Sequence, residues 1–512
     1  MHHRLKMSIV LMVTIYCVPG ILPVNAQFVQ VGNKLVGTGA VWKSGQGSSV
    51  SLSSNGNTAV VGGPSDSAGG SIWVFSQISG RWAQQGSKLI ARDPNGYPSL
   101  GAAVSISADG NTIIAGGYTD SGNVGAAWIF TDSGGVWSQQ GNKLVGLPTS
   151  WNAYQGYAVA ISADGHTAIV GGPGDNNYGA AWIFIQDSGL WKQQGTKLIG
   201  TGAVAPSSQG YSVAISADGN TAIVGGSDNS GTGAAWVFTR DSGIWRQQGS
   251  KLVGTGYVGQ ALQGSSVSLS ADGNTALIGG PGDNGYGAVW FFVRNAGIWT
   301  QQGGKLTGRD SLPGGRDGYS VSLSSDGNIA IVGEEHDDHY TNSIFPYAAG
   351  AAVVYLRSAG IWTEVGDRLE GIGMVGNASQ GWSVAISGNG STLMIGGPRD
   401  NSSAGAVWVF IDTTSTAVIR QSIVRYSYQL SANYPNPFNP ATNIRYSIPK
   451  ESYVSIIIYD ILGREVARLV QEVKLRGEYT VAWDATKVTS GVYYYRLVSG
   501  NYMQTRKMVL MK

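Results

Sequence analysis

Gln209 to Gly254 reads QGYSVAISADGNTAIVGGSDNSGTGAAWVFTRDSGIWRQQGSKLVG, and variants of it recur from about residue 28 to residue 412. The glycine of the SADGN segment sets the register. It falls at Gly56, Gly110, Gly165, Gly219, Gly273, Gly327 and Gly390, with spacings of 54, 55, 54, 54, 54 and 63 residues. A fixed period of this kind is the signature of a repeat architecture. Within one copy, four short runs are separated by turn chemistry. Tyr211 to Ser216 alternates, with Val213 and Ile215 on one face. Asp218-Gly219 is expected to supply the two positive-φ residues of a tight hairpin. Thr221 to Val224 reads as a second strand ended by Gly225-Gly226, Ala234 to Phe238 as a third, and Trp245 to Leu252 as a fourth. None has the 3.6-residue period of an amphipathic helix. Four antiparallel strands repeated seven times predict an all-β chain built on a seven-bladed β-propeller.

The ends of the array support a closed ring. Phe28 to Leu35 matches a fourth strand, as in Trp137 to Leu144, yet precedes any first strand. The seventh copy has its third strand, Ala406 to Phe410, and no recognisable fourth. The N-terminal run is therefore expected to complete the last blade, leaving no uncapped end of the sort an open solenoid must protect.

Composition agrees. Of 512 residues, 77 are glycine, about twice the usual share, and only 12% are charged. The net charge of +2 gives no reason to expect nucleic-acid binding. Residues 27–427 carry 20 Lys+Arg against 25 Asp+Glu, and residues 428–512 carry 11 against 6. A mildly acidic body is thus joined to a basic tail. Residues 1–26 read as a secretory signal, with Arg4 and Lys6, an apolar run from Met7 to Val18, and cleavage near Ala26. The only cysteine, Cys17, lies inside it, which removes disulfides and thiol catalysis from the mature chain. No segment is apolar for long enough to predict a transmembrane span in the mature chain.

Tryptophan recurs twice per copy, as Trp73, Trp128, Trp182, Trp236, Trp290 and Trp408, and as Trp82, Trp137, Trp191, Trp245, Trp299 and Trp362. Aromatics at equivalent positions of every copy are expected to pack blade on blade. The unit resembles the FG-GAP repeat of integrin-alpha-type propellers. The likeness rests on Gly210-Tyr211-Ser212-Val213-Ala214-Ile215, Ile169-Val170-Gly171-Gly172-Pro173-Gly174-Asp175 and Gly405-Ala406-Val407-Trp408-Val409-Phe410. Calcium-binding members of that family carry several acidic residues between strands one and two, where this chain has Ser216-Ala217-Asp218-Gly219-Asn220. One carboxylate falls short of the 6–8 oxygen ligands calcium takes. Integrin-like calcium sites are therefore expected to be absent, and no cofactor is predicted.

The resemblance implies that ligands meet the loops between strands two and three and between blades. Trp42, Tyr97, Trp151, Tyr154 and Tyr257 stand there in non-equivalent settings, free of any packing role shared by all copies, and are the binding candidates. The sixth copy departs from the pattern at Glu334 to His339. Glu335, His336, Asp338 and His339 there are of the right types for a metal site, though the run also reads as a solvated acidic loop. GxGxxG strings at Gly254–Gly259 and Gly371–Gly376 lack the following helix that a dinucleotide needs. No catalytic residue is singled out, although carboxylate-only glycoside chemistry stays open.

Residues 413–427 are rich in Thr and Ser and read as a linker. Beyond it, Thr442–Ser447, Tyr453–Tyr459, Gly477–Trp483, Gly491–Val498 and Tyr502–Lys512 predict a small immunoglobulin-like β-sandwich over 428–512. This tail resembles the type A C-terminal sorting domain of the type IX secretion system. The matching residues include Pro435, Asn436, Pro437, Phe438, Asn439 and Pro440, the turn at Gly463, and the end from Lys507 to Lys512. The resemblance implies the type IX machinery as partner and a secreted or outer-membrane surface location. The expected function is a binding module for a surface protein or polysaccharide. A carbohydrate-active enzyme using loop carboxylates, or a non-catalytic adhesion or surface-layer component, are the alternatives.

Overall fold

The computed structural model describes residues 28–41, 43–67, 69–336, 349–413, 428–449, 452–474, 477–500 and 502–512. The leader, the linker after 413, Trp42, Asp338 and His339 lie outside them. Among the described residues the chain is all-β apart from short helical turns. Among the described residues no helix is long and apolar enough to cross a membrane.

The repeated copies form seven four-stranded antiparallel sheets. In the copy quoted above the strands are Gln209–Ile215, Thr221–Gly226, Ala234–Asp241 and Ile244–Gln247, paired in that order. The first strands, from Ser49–Leu52 through Ser383–Ile386, line the inside. Each touches the first strand of the next sheet, and the last touches the first. This is the arrangement of a β-propeller. Phe28–Gln30 completes the final sheet, with Phe28 opposite Asp412 and Gln30 opposite Phe410.

Two local expectations are corrected. Gly225 and Gly226 continue the second strand, pairing with Ala235 and Ala234. Their role is close approach. A Cβ on Gly225 would stand 2.2 Å from the Gly264 carbonyl oxygen of the following sheet. In the hairpin, only Gly219 has positive φ. Asp218 is instead an acceptor, taking hydrogen bonds from Ser216 Oγ at 2.5 Å and the Asn220 amide at 2.9 Å. The Gly219 amide donates to the Ser216 carbonyl, so the glycine follows a conventional turn rather than forming half of a mirror-image one.

These hairpins predict acid lability. Burial alone would raise the carboxyls of Asp109, Asp164, Asp218, Asp272 and Asp326, but serine hydroxyl and backbone amide donors outweigh it and hold them low. A carboxyl depressed in the folded state contributes stability above its unfolded value of about 3.9, and that stability is lost as pH falls through the folded value. Thermal midpoints should therefore drop steeply below about pH 4. A midpoint level between about pH 5 and pH 2 would contradict this.

The tryptophans divide by position. Trp73, Trp128, Trp182, Trp236, Trp290 and Trp408 are fully buried between sheets. Most donate their indole N–H to the preceding inter-sheet loop, Trp236 to the Thr201 carbonyl at 2.9 Å. The second set is mostly half-buried on the outer strands and bonds a glutamine of the sheet before, as Trp245 does to Gln194 Oε1 at 3.0 Å. Arg240 lies over the Trp245 ring. Both sets join neighbours.

In the tail, Gln429–Leu430, Ala441–Ile448 and Gly477–Asp484 form one sheet, and Glu465–Lys474, Ser452–Tyr459, Gly491–Ser499 and Tyr502–Leu510 the other. Leu430, Phe438, Ile444, Ile456, Trp483 and Tyr495 share the core between them. Glu465–Lys474 was not expected as a strand. It is an edge strand whose side chains are largely solvent-facing, so its charges hide the alternation.

Candidate functional site

In every copy the residue that follows a positive-φ glycine at the start of the inner strand lines the mouth of the ring. Four of these positions are aromatic, Tyr157, Tyr211, Tyr319 and Trp382, and three are small, Ser48, Ala102 and Ser265. Together with Tyr118 they line a cavity of about 630 Å³. The rings form two neighbouring pairs. Tyr157 and Tyr211 have centroids 4.8 Å apart, and Tyr319 and Trp382 are 5.2 Å apart. Tyr118 leans on Tyr157 at 5.4 Å. Burial, reinforced by neighbouring tyrosines, pushes the Tyr157 phenol far above its ordinary value. Burial and then Glu335 do the same for Tyr319. These hydroxyls stay protonated and can donate.

Cations sit above the rings. Arg316 lies 5.9 Å from the Tyr319 centroid and Arg399 5.5 Å from that of Trp382. Arg316 also pairs with Glu335 at 3.2 Å. No aspartate or glutamate is among the described residues lining the cavity. The backbone just before the inner strands is left-handed at every copy, with bulky residues at three of them, Tyr154 (φ 55°), Leu262 (φ 56°) and Arg316 (φ 59°). Such a conformation costs an L-residue roughly 1–2 kcal/mol. Leu262 and Arg316 line the cavity, and Tyr154 packs against Tyr118 at 6.2 Å.

Of the loop aromatics proposed from sequence, Tyr154 alone among the described ones reaches the cavity's edge. Tyr97, Trp151 and Tyr257 are 78%, 82% and 42% exposed and stand outside its lining. Val204, Val258 and Val375, on the equivalent inter-sheet loops, are exposed as well. Glu335 is buried and bonded to Arg316 and His336, the latter at 3.1 Å. Among the described residues no three His, Cys, Asp or Glu side chains gather as metal ligands would. The cavity tyrosines escaped sequence reasoning because Tyr211 was read as part of a constant strand signature. The signal was present: this position alone in the signature varies between aromatic and small.

The acidic residues nearby have structural partners. An aspartate of the strand two to three loop anchors the inter-sheet loop in five copies and Asn229 does so in a sixth; Asp175, for one, accepts the Ser150 amide at 2.9 Å and pairs with Lys197. In the sixth sheet Asp317 stands where five other copies have glutamine and the second has Leu100, and burial pushes its carboxyl up. Glu334 beside it pairs with Arg368. Glu364 and Asp367 line a separate outer depression, where Glu364 accepts the Arg309 amide at 2.6 Å.

In the tail, the proline-rich motif is bonded to the chain's last residues. Phe438 donates its amide to the Val509 carbonyl at 3.0 Å, Met511 donates to the Phe438 carbonyl, and Asn436 Oδ1 accepts the Val509 amide at 2.9 Å. Lys512 Nζ donates to the Thr486 carbonyl at 2.6 Å. Motif and terminus therefore form one surface.

Residues 432–511 match the secretion system C-terminal sorting domain family. The chain is thus an exported protein carrying a type IX sorting domain, destined to be secreted or held at the cell surface. No curated protein matches it. Among solved structures it is similar to the periplasmic gluconolactonase PpgL of Pseudomonas aeruginosa, at 16% identity and a TM-score of 0.44 over 63% of this chain and 85% of that one. It is also similar to PorZ, a bacterial surface component of the type IX secretion system of Porphyromonas gingivalis. There the identity is 12% and the TM-score 0.42, over 90% of this chain and 59% of that one.

Proposed function

We propose that the chain is a seven-bladed, FG-GAP-like propeller over 27–412 that binds a surface polysaccharide or protein, delivered by its tail over 428–512 after removal of residues 1–26. The aromatic cavity at the ring's mouth carries this reading. Tilted aromatic pairs and protonated phenols, with no carboxylate in the lining itself, suit holding a ligand better than cleaving one, since glycoside hydrolysis ordinarily needs two carboxyl groups flanking the bond. The exposed Tyr97, Trp151 and Tyr257 extend the contact surface around it. A screen of the mature protein against glycans and surface proteins should find a ligand whose binding falls on Tyr211→Ala or Trp382→Ala. Loss of about 0.5–2 kcal/mol per ring is expected. Turnover of any bound polysaccharide would replace this reading with the hydrolase one.

A further inference from the structure

Aromatic rings explain affinity for a flat ligand face, but the cations set over them are a separate feature. Arg399 is exposed and makes no ion pair among the described residues; its guanidinium lies over Trp382. Arg316 reaches the cavity from a left-handed backbone position that a glycine or serine fills in most other copies. Glu335 takes only one side of it. With no carboxylate in the lining, the mouth of the ring presents positive charge beside two aromatic platforms and several phenolic donors. Ser48, Ala102 and Ser265 leave room between the platforms for a chain to enter and leave. A neutral sugar can accept the arginines' hydrogen bonds but leaves their charge unmatched, whereas a ring bearing an anionic group meets every element of the site.

We propose that the cavity binds an acidic polysaccharide, a pyranose stacked on Tyr319 and Trp382 with its carboxylate or sulfate held by Arg399 and Arg316. The proposal rests on the cavity being the ligand site. Arginine suits this role because its planar fork meets an oxyanion with two parallel donors while its face stacks on a ring.

Calorimetric titration of the full mature chain with oligogalacturonate, a sulfated galactan and a neutral galactan tests it. Binding of at least one acidic probe about tenfold or more tighter than the neutral one is expected. That binding should weaken with salt, and it should drop about tenfold or more in Arg399→Gln at an unchanged thermal midpoint. Which acidic probe binds decides between carboxylate and sulfate. Equal binding of neutral and acidic probes that is lost in Trp382→Ala would overturn the acidic preference while leaving the cavity as the ligand site. An unaltered affinity in both Arg399→Gln and Arg316→Gln would do the same. If acidic probes bind and Tyr211→Ala and Trp382→Ala change nothing, both this proposal and the cavity reading fail.

Discussion

Trp236→Ala should destabilise the ring by about 3–5 kcal/mol, the range for truncating a buried large aromatic. Trp236 is fully buried, packed with Ile169, Ile183 and Leu198 of the preceding copy and with Val213 and Val224 of its own sheet. Its removal opens a void that the close backbone packing cannot fill. Gly200 sits so near that a Cβ there would lie 2.0 Å from the indole, so that loop cannot simply collapse inward without losing its own hydrogen bonds. The Thr201 carbonyl also loses its donor. Trp245→Ala, on the half-exposed outer strand, should cost much less, about 1–2 kcal/mol. Denaturant unfolding of the two variants measures the contrast. Equal losses would mean that the inner and outer tryptophans carry the same weight, against their different burial.

Deleting 428–512 should leave the passenger in the periplasm, abolishing its appearance at the cell surface or in the medium. The sorting domain is the part of the chain with a family match, and its motif and C-terminus are bonded together. Fractionation with antibody to the propeller reads the outcome; unchanged export of the truncated chain would refute it. Phe438→Ala is the finer test. Phe438 is buried 5.5 Å from Trp483, and its loss should unfold or loosen the domain and reduce export with the rest of the chain intact.

The repeat was legible because it is written in backbone terms. Turn glycines, alternating strands and equivalent tryptophans each report a local requirement, and the N-terminal run announced its partner by resembling a missing strand. What escaped was set by neighbours far away in sequence. Gly225 looked like a strand end until the carbonyl of the following sheet was seen against it. Glu465–Lys474 hid because an edge strand has little to bury. The cavity was hidden by the same logic that revealed the fold. Tyr157, Tyr211, Tyr319 and Trp382 occupy a position whose neighbours are constant, and only the closed ring brings four such residues from separate copies to one place. Tyr97, Trp151 and Tyr257, which break the repeat, are exposed and stand outside that lining.

The strand that seals the ring is only Phe28–Gln30, continued by the Val31 amide on the Val409 carbonyl and by Leu35 opposite Val407. The other strand pairs within the sheets join segments close in sequence; this one joins opposite ends, as does the bridge between Gln46 and Gly405. Closing a longer loop costs only logarithmically more, so the seam is cheap once formed, but contacts between distant segments form late. Until Ala406–Asp412 is in place the first residues have no partner strand, so the ring stays an open arc and closes only around its complete set of sheets.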